Sequence, residues 1–310
     1  MQPIVELKKP IFTLLLSISC CAIFLLLQMD TTSIGTDEVY SRLGAPFAIQ
    51  IYQGQYWGVI TNSLLHINYY HLIINLFGLW ALGAFIERRV GLINFILLGL
   101  YASIMTSIAQ LTLSDDAGIG LTGVNYFFVA YIFIKSAKNS RFQLRAKYIY
   151  LIVAIAGIII AYYLNNVKYY NIGITAMISG LFFGFITGLT TLDTKKSTPV
   201  IFAIVLFISS GVTLFYSPWS AEWNYFKGYS AHEASNYDDA KMYYKDAINI
   251  NPAHKASFDN LKLISIDEIS DSALNAHKNK EYLRARKLYQ RVLKLDPNNH
   301  WAKQNMAKLP

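Results

Sequence analysis

A few polar residues with chemical potential stand in otherwise apolar sequence. His71 and Asn75 lie four residues apart in the stretch YYHLIINLFG, so both would project from one face of a helix. Thr122 supplies a hydroxyl in the apolar stretch AGIGLTGVNYFF, residues 117–128. A histidine and an asparagine are costly inside a membrane unless they pair or face a wet cavity. The pattern predicts a polar cavity, although hydrogen bonds to neighbouring helices alone would also explain both side chains.

Such residues could support hydrolysis of a peptide bond only if a proton acceptor is present. A hydroxyl nucleophile needs a base to take its proton and donors that stabilise the oxyanion. Threonine can attack, but its extra methyl group alters the geometry and it still needs the base. Apart from His66 and His71, the histidines all lie in the C-terminal part of the chain: His232, His254, His277 and His300.

The elements that must position these residues are apolar helices. Of the 310 residues 54% are hydrophobic and only 15% are charged, whereas a soluble domain carries about 25% charged residues. Long apolar runs fill residues 11–217, and the sequence becomes polar and charged from residue 220. The break near Pro218 predicts a membrane domain over residues 1–218 and a polar domain over residues 219–310.

Seven runs are long enough to cross a bilayer, which takes about 20 mainly apolar residues. They are residues 11–29, 66–86, 92–112, 121–137, 147–164, 171–191 and 199–217. With the N-terminus in the cytoplasm, 11 basic residues fall in cytoplasmic loops and only Arg42 and Lys168 fall in external loops before the tail. The 11 are Lys8, Lys9, Arg88, Arg89, Lys135, Lys138, Arg141, Arg145, Lys147, Lys195 and Lys196. This bias predicts a multi-pass cell-membrane protein with a cytoplasmic N-terminus and an extracytoplasmic tail, and it accounts for much of the net charge of +8 without a nucleic-acid partner.

Three motifs resemble those of the rhomboid intramembrane serine proteases, peptidase family S54. HINYYHLIIN at residues 66–75 matches the order H-x4-H-x3-N, and ERRVG at residues 87–91 matches the glutamate-basic-glycine turn that follows it. GLTG at residues 120–123 stands where the family has G-x-S-G, with Tyr126 at the expected place. AMISGLFFG at residues 176–184 stands where the family has A-H-x-x-G-x-x-x-G. The resemblance covers roughly residues 10–217.

The resemblance implies an all-α fold, a bundle of seven transmembrane helices, and a role for each residue of the motifs. His71, Asn75 and the backbone N–H of Thr122 would bind the oxyanion. Thr122 occupies the nucleophile position, Met177 the base position, and Tyr126 a supporting position. The small residues Gly120, Gly123, Gly180 and Gly184 let membrane helices approach closely. Loss of a triad-type base costs several orders of magnitude in rate, so the two replacements favour an inactive or nearly inactive member.

The tail resembles tetratricopeptide repeats, which are helix–turn–helix units of 34 residues. Two units are predicted, at residues 221–254 and 266–299, and residues 300–310 read as a closing helix. The small residues and prolines at repeat positions are Gly228, Ala240 and Pro252 in the first unit, and Ala273, Ala285 and Pro297 in the second. The 11 residues between the units would lengthen a helix or form a loop. Repeats of this kind bind proteins or peptides, and a passive solubilising tail is the alternative; its 14 basic and 11 acidic residues are too mixed to name a ligand.

These features predict a pseudoprotease that binds transmembrane segments of client proteins within the lipid bilayer and uses its repeats for protein–protein interaction. The alternative is an active serine/threonine-type endopeptidase that cleaves transmembrane segments near the outer leaflet. A transporter is disfavoured, because the sequence has no inverted repeat of broken helices. No cofactor, metal or nucleic acid is predicted. The endopeptidase requires a proton acceptor within about 3.5 Å of the Thr122 hydroxyl, directly or through one water. A structure that places His71 against Thr122 would remove most of the support for the pseudoprotease.

Overall fold

The computed structural model describes residues 9–29, 37–167, 172–190 and 197–310. Within these ranges all regular secondary structure is helical and no strand occurs, which confirms the predicted all-α fold. The chain divides into two compact units, Met1–Ser217 and Pro218–Pro310.

The first unit contains long apolar helices joined by short ones. Its helices are α1 (Ile11–Met29), α2 (Asp37–Arg42), α3 (Ala48–Tyr52), α4 (Gly58–Thr61), α5 (Tyr69–Gly78), α6 (Ala84–Val90), α7 (Leu92–Ser114), α8 (Thr122–Lys138), α9 (Lys147–Asn166), α10 (Ile174–Thr190) and α11 (Ser197–Thr213). A π-helical turn, Leu79–Gly83, joins α5 to α6 without a break. Short 3₁₀ turns lie at Asn62–Leu64 and Ser140–Phe142.

Several of these helices are suited to a bilayer. Four stretches are long and apolar enough to cross one: Ile11–Met29, Tyr69–Val90, Leu92–Ser114 and Lys147–Asn166. Ile174–Thr190 and Ala203–Thr213 are shorter apolar helical stretches, and α8 occupies the predicted run 121–137. The chain is a multi-pass membrane protein, whereas the count of seven crossings and the side of each terminus stay predictions. Four lysines used for that orientation, Lys8, Lys168, Lys195 and Lys196, lie outside the described residues.

Close contact between α8 and α10 depends on glycine. A Cβ added to Gly180 would collide with the carbonyl oxygen of Gly123, and one added to Gly184 would collide with the carbonyl oxygen of Phe127. A side chain at either position would therefore force the two backbones apart, as expected for small residues at a membrane-helix interface. Buried apolar side chains fill the space around this pair, among them Leu79, Phe95, Met105, Phe127 and Phe128.

The second unit consists of α12 (Ala221–Glu233), α13 (Tyr237–Ile250), α14 (Lys255–Lys278), α15 (Tyr282–Leu295) and α16 (His300–Ala307). The helices α12 and α13 form one hairpin, and the second half of α14 forms another with α15. Both hairpins turn through a residue with positive φ at the same repeat position, Ser235 at 60° and Lys280 at 62°.

Small residues lie where the paired helices of each hairpin meet. Ala240, Ala273 and Ala285 are fully buried, and a Cβ on Gly228 would lie 2.7 Å from the ring of Tyr244. Pro252 and Pro297 are exposed two residues beyond the ends of α13 and α15, so they follow the helices rather than pack between them. Residues 255–265 lengthen a helix, because α14 runs through them without interruption.

The two hairpins have separate cores along α14. Ile264 packs with Ala240 and Tyr244 of the first hairpin. Ile266, only two residues further on, belongs to the cluster of the second hairpin with Tyr289 and Val292. The long helix is therefore covered by different partners along its two halves.

Candidate active site

The first turns of α5 position the two polar residues that the sequence places on one helix face. Asn68 is the N-cap, and its side-chain oxygen accepts a hydrogen bond from the backbone N–H of His71 at 2.8 Å. This cap begins the helix at Tyr69, three residues later than the start of the predicted run at residue 66. Asn75 follows one turn later, is almost fully buried, and donates from its side chain to the carbonyl oxygen of His71 at 3.0 Å.

Thr122 is the first residue of α8, and its hydroxyl lies where these side chains converge. The distance from Thr122 Oγ1 is 3.1 Å to Asn75 Nδ2, 3.2 Å to Asn75 Oδ1 and 3.4 Å to His71 Nε2. The structure therefore brings together the three polar residues of the first two motifs, which are 47 and 51 positions apart along the chain.

Asn125 completes this polar cluster, and its place there was not predicted from the sequence. Its side-chain Nδ2 donates to the backbone oxygen of Asn75 at 2.9 Å and to Asn75 Oδ1 at 3.1 Å. Gly78 makes the approach possible, because a Cβ there would lie 2.8 Å from the amide carbon of Asn125. Asn75 Oδ1 therefore lies within hydrogen-bond distance of both Asn125 Nδ2 and the Thr122 hydroxyl. An asparagine one turn into an apolar helix was the available signal.

His66 and Gly120 form the wall of the site beside His71. The His66 ring is fully buried, with its centroid 4.9 Å from that of His71. His66 Nδ1 lies 3.1 Å from the carbonyl oxygen of Leu64, so Nδ1 carries the hydrogen; its Nε2 has no hydrogen-bond partner among the described residues. Gly120 has a φ of +85°, and a Cβ there would lie 2.6 Å from the His71 ring. Glycine at this position therefore lets the imidazole stand next to Thr122.

Met177, which occupies the predicted base position, lies in an apolar part of the same bundle. It is buried on α10, and its Cε is 3.8 Å from the place where a Cβ on Gly157 of α9 would be. The Tyr126 hydroxyl points to the same glycine and donates to the carbonyl oxygen of Ala154 at 3.1 Å. Met177 and Tyr126 thus lie together against α9, and the methionine supplies packing but no proton acceptor.

A second residue missed from the sequence fixes the start of α10. Gln110 of α7 is buried, and its Oε1 accepts the backbone N–H of Ala176 at 2.8 Å. Gly118 and Gly173 leave room for this side chain, since a Cβ on either would lie 3.0–3.2 Å from it. Because Ala176 precedes Met177, Gln110 sets the depth at which residue 177 enters the bundle.

This arrangement provides a hydroxyl and two side chains that can donate to an oxyanion. Among the described residues bonded to the Thr122 hydroxyl, His71 is the one candidate base. His71 can act as a donor only when Nε2 carries a hydrogen, and it can accept the Thr122 proton only when Nε2 does not. One nitrogen cannot serve both functions in the same step. No group of three histidine, cysteine, aspartate or glutamate side chains that could hold a metal ion occurs in the described part of the chain.

Known proteins similar to this chain include two rhomboid proteases. The rhomboid protease GluP of Bacillus subtilis is 27% identical over 307 residues, which is 97% of this chain and 58% of GluP. The rhomboid protease GlpG of Haemophilus influenzae is 28% identical over 187 residues, which is 60% of this chain and 93% of GlpG. The chain therefore spans less than two thirds of the length of GluP and nearly all of GlpG.

Family models match both units of the chain. The rhomboid domain model matches residues 53–194, which include every residue of the polar cluster. A tetratricopeptide repeat model matches residues 221–254, the first hairpin of the second unit. The chain therefore contains a rhomboid domain followed by a tetratricopeptide repeat.

Proposed function

We propose that this protein is a pseudoprotease that binds transmembrane segments of client proteins in its rhomboid domain and contacts their external parts through its repeats. The observation that carries the proposal is Met177, a buried thioether at the position where the family motif has its base. A thioether does not accept a proton at neutral pH, so the nucleophile position has lost the group that activates it. Such a protein would act as an adaptor, a membrane chaperone or a regulator of a quality-control protease.

The hydrogen-bonded cluster supports a binding role because it maintains the shape of the site without the missing base. Asn75 bonds to His71, Thr122 and Asn125, so its amide is satisfied within the bundle. Satisfied polar groups hold membrane helices together in a defined arrangement. A client segment could therefore contact a preformed polar site that carries out no chemistry.

A second candidate function is endopeptidase activity with Thr122 as nucleophile and His71 as base. The 3.4 Å distance between His71 Nε2 and Thr122 Oγ1 favours it and meets the criterion set from the sequence. The names of both relatives agree with it.

The distance between His71 and Thr122 nevertheless does not separate the endopeptidase from the pseudoprotease. The oxyanion and the nucleophile oxygen bond to the same carbon, so any oxyanion donor must lie close to the nucleophile. Asn75, whose amide is no base at neutral pH, approaches Thr122 more closely than His71 does. We therefore rank the endopeptidase second.

The deciding experiment is cleavage of a generic rhomboid transmembrane substrate in reconstituted membranes. Wild type would be compared with Thr122→Ala and with the double variant Thr122→Ser/Met177→His. The proposal expects no cleavage by wild type or Thr122→Ala and measurable cleavage by the double variant. Cleavage by wild type that is lost in Thr122→Ala would overturn the proposal and establish Thr122 as the nucleophile.

Substituting His71 distinguishes its two possible roles. If His71 is an oxyanion donor, His71→Ala in the Thr122→Ser/Met177→His background should lower the cleavage rate by about 10²–10³-fold. If His71 is the base of a dyad with Thr122, His71→Ala should abolish whatever cleavage wild type shows. Adding Met177→His to His71→Ala should then restore activity.

Client binding is measured separately from cleavage. The same transmembrane substrate, fluorescently labelled and added to reconstituted wild type, should bind equally well to wild type and to Thr122→Ala. A wild type that neither binds nor cleaves this segment would contradict both candidate functions.

The proposal also includes the orientation of the chain and its division into functional modules. We propose that residues 1–218 act in the bilayer, with the N-terminus in the cytoplasm, and that residues 219–310 act outside the cytoplasm. The supporting observation is the excess of basic residues in the predicted cytoplasmic loops. Protease added to intact spheroplasts should digest the tail; complete protection of the tail would contradict this orientation.

A further inference from the structure

The solvent face of α15 carries a basic stripe, which we define as Arg284, Lys287, Arg291 and Lys294. Their spacing of three, four and three residues places all four on one side of the helix, and all four are exposed. The helix itself contains no acidic residue. Glu281, just before the helix, pairs with Arg284 at 2.9 Å. The stripe therefore presents a concentrated positive charge to solvent.

Two apolar side chains flank the basic stripe. Leu283 is 81% exposed and Leu295 is 36% exposed. Leu283 lies one turn before Lys287, and Leu295 lies one turn after Arg291, so both border the charged face. A leucine as exposed as Leu283 contributes nothing to the core of the hairpin. The combination of cations with exposed leucines on one helix face is typical of a surface that meets a lipid interface.

The repeat fold does not require this charge, as the first hairpin shows. The structurally equivalent positions of α13, 45 residues earlier, are Asp239, Met242, Asp246 and Asn249. The position equivalent to Leu283 is Asp238. The same face of the same kind of hairpin is thus acidic in the first unit and basic in the second, so the stripe needs an explanation other than folding.

An anionic bilayer is the partner that best fits this face. The stripe lies on a single exposed helix rather than in a groove, and an extended flat surface of negative charge matches it. The second unit follows directly on apolar helices that are suited to a membrane, so a bilayer is available to this face. Each lysine or arginine near an anionic membrane surface adds to the attraction, and the leucines add apolar contact with the headgroup region.

We propose that the basic stripe of α15, with Leu283 and Leu295, docks the repeat unit on anionic phospholipid headgroups of the membrane that holds the chain. The docking holds the second hairpin against the bilayer and leaves the acidic face of the first hairpin available for a protein partner. It does not depend on whether Thr122 is catalytic.

The test uses the full chain in nanodiscs, with Cys20 and Cys21 replaced by alanine and a fluorophore on Gln290→Cys. Gln290 is exposed on α15, one turn before Lys294. Nanodiscs of phosphatidylcholine alone are compared with nanodiscs that also contain phosphatidylglycerol, each with a nitroxide-labelled headgroup lipid as quencher. We expect quenching only in the anionic discs, and we expect it to disappear at high salt.

A matched pair of variants separates the stripe from the overall charge of the tail. Lys287→Gln/Lys294→Gln removes two lysines seven residues apart from α15. Lys255→Gln/Lys262→Gln removes two exposed lysines with the same spacing from α14. The α15 pair should lower the ratio of docked to undocked protein by about 25-fold, whereas the α14 pair should leave it unchanged. Helical hydrogen-exchange protection of α15 in both variants checks that the fold is retained.

Three outcomes would overturn the proposal. Equal quenching in neutral and anionic discs would mean that charge does not direct the contact. Absence of quenching in anionic discs would mean that α15 faces away from the membrane and is free for an acidic protein. Equal loss in both lysine pairs would mean that total charge, and not the stripe, drives the docking.

Discussion

At the scale of single residues, the candidate site depends on close contacts as much as on reactive groups. Thr122, Asn75 and His71 meet because a glycine stands at position 120 and an asparagine at position 125. Gly120 has a backbone conformation that residues with side chains rarely adopt, and its missing Cβ is the space that the His71 ring occupies. A substitution that leaves every reactive group intact should therefore still disturb the site.

We predict that Gly120→Ala destabilises the protein more than Gly44→Ala does. Both glycines have a φ close to +86°, so alanine costs about 1–2 kcal/mol of backbone strain at each. At position 44 the nearest atom to the new Cβ is 3.9 Å away, whereas at position 120 it is 2.6 Å away. The clash with His71 should add about 1–3 kcal/mol. Thermal unfolding of both variants in the same detergent measures the difference, and equal midpoints would contradict the assigned position of His71.

The sequence could predict those residues of the site whose hydrogen-bond partners also belong to the recognised motifs. The spacing of His71 and Asn75 placed them on one helix face, and the resemblance brought Thr122 to them. Asn125 and Gln110 could not be assigned in this way. An isolated amide in an apolar helix signals a buried hydrogen bond but does not reveal which helix accepts it, and that partner is set by packing.

At the scale of elements, a carboxylate of one helix caps the start of another. Glu87 of α6 is buried, and its two oxygens accept the backbone N–H groups of Phe12 and Thr13 at 2.8 Å each. The Thr13 hydroxyl adds a third hydrogen bond at 2.7 Å. These N–H groups belong to the first turn of α1, which has no intrahelical acceptor for them. The glutamate of the ERRVG motif thus fixes the depth of α1 against α6.

We predict that Glu87→Gln lowers the free energy of unfolding by about 2 kcal/mol. Glutamine keeps the shape but offers one acceptor oxygen in place of two and no negative charge at the positive end of α1. The neighbouring substitution Arg88→Gln is the control, because it also replaces a charged side chain of the same turn by glutamine, but an exposed one. Denaturation in detergent followed by circular dichroism measures both. A loss in Arg88→Gln as large as that in Glu87→Gln would point to a general sensitivity of this turn to substitution rather than to the cap.

The apolar runs predicted the helices well, because hydrophobic length is the dominant signal for elements in a membrane. The details that escaped prediction depend on local hydrogen bonds. Asn68 starts α5 three residues late, and the helix continues to Val90 through the π turn at Leu79–Gly83. A π turn inserts an extra residue into the backbone ladder and leaves no mark on composition.

At the scale of the whole molecule, the chain separates into a membrane unit and a repeat unit with their own cores. The change in composition near Pro218 predicted a division in this part of the chain. The resemblance to tetratricopeptide repeats also predicted the second hairpin, whose alanines and tyrosine repeat those of the first at an offset of 45 residues. The choice between a loop and a helix for residues 255–265 stayed open, because a polar stretch without glycine or proline suits either.

We predict that the two units unfold in separate transitions. Ala285 is fully buried between α14 and α15, so Ala285→Val should overpack that hairpin and cost about 1–3 kcal/mol. Gln290→Val, on the exposed side of α15, controls for the helix propensity of valine. Hydrogen exchange followed by mass spectrometry should show faster exchange in residues 266–310 of Ala285→Val only. Equally accelerated exchange in the membrane helices would show that the units unfold together.

The unbroken length of α14 determines what a ligand of the repeats would meet. In a regular array the second hairpin would begin directly after residue 254, but here it begins 11 residues later on the same helix. Eleven residues amount to about three turns, a translation of roughly 16 Å with only about 20° of rotation. The binding groove that stacked repeats would share is therefore divided into two short binding sites. A peptide bound along both would have to bridge roughly five residues of extended chain between them, so its recognition sequence would consist of two anchors separated by a spacer.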